Sequence, residues 1–165
     1  MYYIKNRILN ITFITGIILV ICGCSHANKI ENISKIIEVD ITNCQTENVF
    51  DSHAGLSGNG EYYAKIICDD QVNEKIKDKW LEFPLPEKIK KIMATKQCRD
   101  DGCKSLYEKF LIPDIEKGYY YFLDRHNDAE NKNNAGTVST RGSHKYSLGI
   151  YDTSNKTIYY YELDT

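Results

Sequence analysis

The chain has 165 residues, 42% of them hydrophobic and 27% charged, enough for one ordinary domain and neither a disordered nor a fibrous composition. Only one stretch is continuously apolar, which excludes a multi-span membrane protein. The net charge of −2 lacks the surplus of Lys and Arg that a nucleic-acid partner demands.

That apolar stretch opens the chain. Lys5 and Arg7 give it a basic start with no acidic residue, and a mostly apolar run follows from Ile8 to Ile21. The run is shorter than the ~20 residues of a spanning helix. It closes on Cys22, Gly23 and Cys24, and the whole has the build of a secretory signal peptide over residues 1–23. The closing Ile21-Cys22-Gly23-Cys24 resembles the lipobox of bacterial lipoproteins: an aliphatic residue, a tolerant position, a small residue, then cysteine. The resemblance implies cleavage after Gly23 and a diacylglycerol thioether on Cys24, with palmitate-like acylation of the new amino group. One acyl chain, at ~0.8 kcal/mol per buried methylene, holds a protein only marginally, whereas two or three at one residue hold it stably. The expected location is the extracytoplasmic face of a bacterial cell membrane. Ser25, in place of Asp, permits onward sorting to an outer membrane in a host that has one.

Without Lys5 and Arg7 the charge falls from −2 to −4. Residues 24–34 are polar and short and read as a tether, leaving residues 35–165 as a single domain large enough to bury a core. Four cysteines remain: Cys44, Cys68, Cys98 and Cys103. An even number outside the cytoplasm suggests disulfides, and the favoured pairing is Cys98 with Cys103 and Cys44 with Cys68. The Cys-x4-Cys spacing borders on that of zinc ligands, but no second Cys or His pair accompanies it, so no metal or cofactor is expected.

In chain order, Ile37, Val39 and Ile41 alternate with polar residues and predict a first strand. Residues 61–68 alternate in the same way. Asn73 is placed to cap a helix carrying Val72, Ile76 and Trp80 four apart. Pro86 opens a second helix with Ile89, Ile92 and Met93 on one stripe, and Leu106 with Phe110 marks a short third that stops before Pro113. Tyr119–Leu123 is apolar on both faces and predicts a central strand. Tyr146–Tyr151 and Thr157–Leu163 flank good turn residues and predict a hairpin. The order ββ-ααα-βββ implies an α+β domain, with a mostly antiparallel sheet of about five strands and its helices on one face. Residues 45–60 and 127–143 read as long loops, the second as disordered.

Two segments carry candidate chemistry. One runs from Asp51 through His53 and a glycine-rich stretch to Glu61, and the other is Asp124-Arg125-His126. If the strands bearing them end at one edge, Asp51, His53, Glu61 and His126 could form a general-base or divalent-metal site. The bland alternative is a loop, a bulge and a strand-end ion pair. No Gly-Lys-Ser/Thr phosphate loop and no Gly-x-Ser-x-Gly elbow is present, and nothing selects Ser57 as a nucleophile. Lys75, Lys77, Lys79, Lys88, Lys90, Lys91 and Lys96 concentrate base on the helices, either as solvated faces or as a contact for anionic lipid. Of 13 tyrosines, 11 follow residue 24, and they either fill a sheet covered on both faces or present one face to a partner.

The stretch Gly118–His126, the ending Ile150–Thr165, and Trp80 with Leu81, Pro84, Leu85 and Pro86 are similar to a group of small uncharacterised proteins of low-GC Gram-positive bacteria. That similarity implies no activity. The expected function is a lipid-anchored, non-catalytic binding module for a protein or envelope polymer. A metal- or histidine-dependent hydrolase and a structural spacer are the alternatives.

Overall fold

A computed structural model describes residues 28–53, 58–99, 102–126, 133, 135, 138 and 142–165. The leader, Cys24, Ser57 and most of residues 127–141 lie outside the described residues. Among the described residues, no helix is long and apolar enough to cross a membrane.

The chain begins with α1, residues 28–37. Ile30, Ile33 and Ile37 fall three and four apart, make one stripe and are buried. This corrects two expectations. Residues 28–34 belong to the folded domain and not to a tether, and Ile37 ends a helix and does not begin a strand. Glu38 follows with φ 60°, turning the chain. Thr42 donates its amide and its hydroxyl to Asp40 Oδ1, so Val39 and Ile41 are buried in a turn whose apolar alternation imitates a strand.

The true first strand, β1 (Gln45–Asp51), is polar and lies within the expected loop. It is held by its backbone pairing to β2 (Gly60–Ile67). Next come α2 (Asp70–Lys79), the short β3 (Leu81–Glu82) and α3 (Glu87–Ala94). The cap of α2 is Asp69, not Asn73, its carboxylate accepting from Val72 N at 3.0 Å. A ribbon of β4 (Gln97–Arg99) and β5 (Gly102–Lys104) leads to α4 (Leu106–Phe110), which Ser105 and Glu108 close with a reciprocal capping box. Then β6 (Gly118–Asp124), β7 (Lys145–Asp152) and β8 (Thr157–Asp164) complete the chain, the last two as the expected hairpin.

The fold is α+β, and its main sheet is antiparallel with the order β1-β2-β8-β7-β6-β3. Its helices divide between the two faces instead of sharing one. On the first face, α1 and α2 cover Tyr62, Ala64, Ile66, Tyr121, Tyr151 and Tyr160. On the second, α3 and α4 cover Tyr63, Phe122, Leu148, Ile150 and Tyr161. The tyrosine rings therefore fill two cores, as strands buried on both sides require. Trp80 donates to Ile37 O at 3.0 Å and lies on Gly149, where a Cβ would come within 2.5 Å of the indole. Part of the stretch expected to be disordered is packed: Ala135 and Val138 are buried, and Asn133 bonds both backbone groups of Phe122, on the edge of β6 beyond the short pairing with β3.

Candidate functional site

The strand register builds a charged cleft at one end of the first face. Asp51 pairs with Tyr62, Tyr62 with Glu162, and Glu162 with Ser147, so these four stand in one row across the sheet. One step further out, Gly60 pairs with Asp164 and Asp164 with Lys145, whose carbonyl accepts from Arg125 N. Alternation along a strand puts residues two apart on the same face, so both rows open toward α1.

Gly60 is what lets the outer row close. A Cβ there would lie 2.7 Å from the His53 backbone nitrogen and Cα. With no side chain in the way, the His53 ring spans to Asp164, Nε2 lying 3.2 Å from Oδ2, while Nδ1 lies 2.7 Å from Asp51 Oδ1. The backbone sets the approach: Ser52 N donates to Glu61 O, Glu61 N donates to Ser52 Oγ, and His53 N donates to Asp51 Oδ1. Arg125 Nη2 donates to Asp164 Oδ2 at 3.0 Å. Burial pushes the Asp51 carboxyl up, but the His53 amide and ring, with the charge of that ring, outweigh it and hold the group below its ordinary range.

The inner row carries a second pair. Lys29 of α1 reaches Glu162 Oε2 at 2.6 Å and lies 4.2 Å from the centre of the Tyr62 ring. Glu162 is only 3% exposed, and its other oxygen accepts from the Tyr160 hydroxyl. Burial, then the charge of Glu162, raises that hydroxyl's pKa well above the ordinary range. The cleft has a volume of about 470 Å³, with Asn32 and Lys35 of α1 on its far wall.

The four residues expected to converge do so only in part. Asp51 and His53 meet in this cleft. Glu61 is fully buried, but on the opposite face, paired with Lys109 of α4. The His126 ring lies 2.9 Å from Ser143 Oγ, outside the cleft lining. Sequence reading missed Lys29, Arg125 as a cleft residue, Glu162 and Asp164. The last two could have been found from their spacing of two at the end of a strand facing Asp51.

Among the described residues, no group of three or more His, Cys, Asp and Glu side chains could hold a metal ion. Cys44 and Cys68 do meet, as free thiols with sulfurs 3.3 Å apart. The contact with Cys68 lowers the Cys44 pKa, whereas that same contact, then burial, pushes the Cys68 thiol far up. Cys103 is disulfide-bonded, and the β4–β5 register sets Cys98 directly opposite it. No known protein family, curated protein or solved structure matches this chain.

Proposed function

We propose that this chain is a lipid-anchored envelope protein, acylated on Cys24 at the extracytoplasmic face of a bacterial membrane, whose α+β domain binds a polar envelope polymer in the cleft beside α1. The observation that carries the binding reading is the mutual pairing of the cleft's charges. Both ring nitrogens of His53 lie against carboxylates, Arg125 is tied to Asp164, and Lys29 is tied to Glu162. A general base needs a free lone pair aimed at its substrate. A recognition surface needs a fixed array of donors and acceptors, which paired charges provide.

The hydrolase alternative is weaker because Glu61 and His126 stand apart from Asp51 and His53. A polymer is favoured over a protein because the tyrosines that would have furnished an aromatic docking face are buried in the two cores. The anchor bears on the cleft as well. Lys29 follows Cys24 by five residues, a reach of at most ~18 Å of extended chain, so the cleft is held close to the membrane surface where the polymer begins.

Two measurements on the full chain expressed in a bacterium test the reading. Labelled palmitate should enter the wild type and not Cys24→Ala, which should keep its leader. Purified peptidoglycan should sediment the wild-type protein and release His53→Ala and Arg125→Ala. Labelling of Cys24→Ala would overturn the anchor, and undiminished sedimentation of both cleft variants would overturn the binding site.

A further inference from the structure

A second cleft, on the opposite face of the sheet, has the make-up of a site for an amphiphilic anion. Its volume is about 330 Å³, at the small end of the range for small-molecule sites. Ile92 of α3, Ala135, Val138, Tyr146 and Leu163 give it an apolar floor. The rim is basic: Lys88 and Lys91 stand three apart on α3 and so share one side of the helix.

Those two lysines differ from others in the protein. Lys77, Lys90 and Lys156 each have a carboxylate within 3 Å, at 2.7, 2.9 and 2.7 Å. Among the described residues, neither Lys88 nor Lys91 has an acidic partner. His144 also lines the cleft, and its Nδ1 is buried with no hydrogen-bond partner among the described residues. A buried polar atom left unpaired costs ~1–3 kcal/mol, and a ligand oxygen would remove that cost.

We propose that this cleft binds a single-chain amphiphilic carboxylate of the fatty-acid class. The alkyl body lies on Val138, Tyr146 and Leu163, and the carboxylate is held by Lys88, Lys91 and His144 Nδ1. An alkyl chain without the anion would bury the same apolar surface but leave both ammonium groups and the imidazole unused. A bare inorganic anion would gain the charges and lose the floor. The site is independent of the His53 cleft.

The test uses the full chain in lipid nanodiscs and an octanoate bearing a diazirine near its methyl end. The expected label falls on peptides containing Ile92, Tyr146 or Leu163. Octanoate should compete for it about tenfold better than octanol, because charge-assisted hydrogen bonds are the strong ones. The double variant Lys88→Glu/Lys91→Glu should lose the label by a similar factor. Lys88→Gln/Lys91→Gln should weaken it while keeping the near-ultraviolet circular dichroism of the tyrosine cores, and His53→Ala should leave it unchanged. Octanol competing as well as octanoate, full labelling of either double variant, or label spread evenly along the chain would overturn the proposal.

Discussion

At Gly60 the requirement for glycine is one of space and not of backbone angle. A methyl there would sit 2.7 Å from the His53 backbone, so Gly60→Ala must push the end of β1 outward. The expected cost is ~1–3 kcal/mol, the usual range for overpacking, read by urea denaturation. The same shift should separate His53 from Asp164 and weaken polymer sedimentation. Lys29 is a different case, because its partner Glu162 is buried and Lys29 is part-exposed. Lys29→Met should therefore cost ~1–3 kcal/mol by leaving a buried carboxylate short of a donor. Adding Glu162→Gln should recover part of that loss, a coupling that a double-mutant cycle measures. Asp51 sets a pH dependence whose sign follows from its lowered pKa. Its contribution is present above the unfolded-state value of ~4, and it is lost as pH falls through the lower folded value. Asp51→Asn should remove that portion of the acid limb, which equilibrium unfolding between neutral and acid pH would show.

Among the elements, α1 makes the sharpest claim, since a tether would tolerate truncation and a core helix does not. Ile33 is fully buried against the first face, so Ile33→Ala should cost ~2–5 kcal/mol, measured as a shift in the denaturation midpoint. The helix was legible in Ile30, Ile33 and Ile37, but the alternation of Ile37, Val39 and Ile41 competed with it. The turn that buries the last two is a tertiary feature to which a period of two is blind. For β1 the reason is simpler: Gln45–Asp51 has no alternation because it is a mostly polar edge strand held chiefly by its partner's backbone, with Phe50 against Phe110 as its one aromatic contact among the described residues. The strands that sequence reading found, β2, β6, β7 and β8, are those buried deeply enough for side-chain type to be dictated. Half of the cleft was legible, because Asp51 and His53 sit together in sequence. Glu162, Asp164 and Arg125 join them only through register, which local pattern does not specify. Register also brings together Cys44 and Cys68, just beyond the Gln45–Ile67 pair that ends the β1–β2 ladder, and their sulfurs at 3.3 Å need a closer approach to reach the ~2.05 Å of a disulfide. Oxidation should close a loop of about 25 residues and stabilise the fold by ~3 kcal/mol. Unfolding with and without reductant would show it, and Cys44→Ser should abolish the difference.

Considered whole, the molecule is a sheet sealed on both faces by tyrosine-rich cores, and that arrangement dictates its behaviour in base. Among the described residues nine tyrosines are buried: Tyr62, Tyr63, Tyr120, Tyr121, Tyr146, Tyr151, Tyr159, Tyr160 and Tyr161. Burial raises the hydroxyls of Tyr62 and Tyr121 to about 12, helped by the charges of Glu162 and Asp51 on the first and of Glu38 on the second. A group whose folded pKa is raised contributes stability that is complete below its unfolded value, here ~10, and that drains away as pH climbs toward the folded value. Between pH ~10 and about 12 the unfolded chain sheds phenolic protons that the folded one keeps, and burial also raises the hydroxyls of Tyr63, Tyr120 and Tyr146 on the second face, so each of these raised groups adds to the same downward slope. Because both faces lose stability over the same interval, unfolding should be one step and not two. The expected outcome is little tyrosinate absorbance from the buried rings near the ordinary value. A single steep rise should follow at higher pH, coincident with loss of near-ultraviolet circular dichroism. A smooth titration of all the tyrosines around the ordinary value, with the fold intact, would mean that one face of the sheet lies open to water. An open tyrosine face would in turn restore protein docking as the better account of what this domain binds.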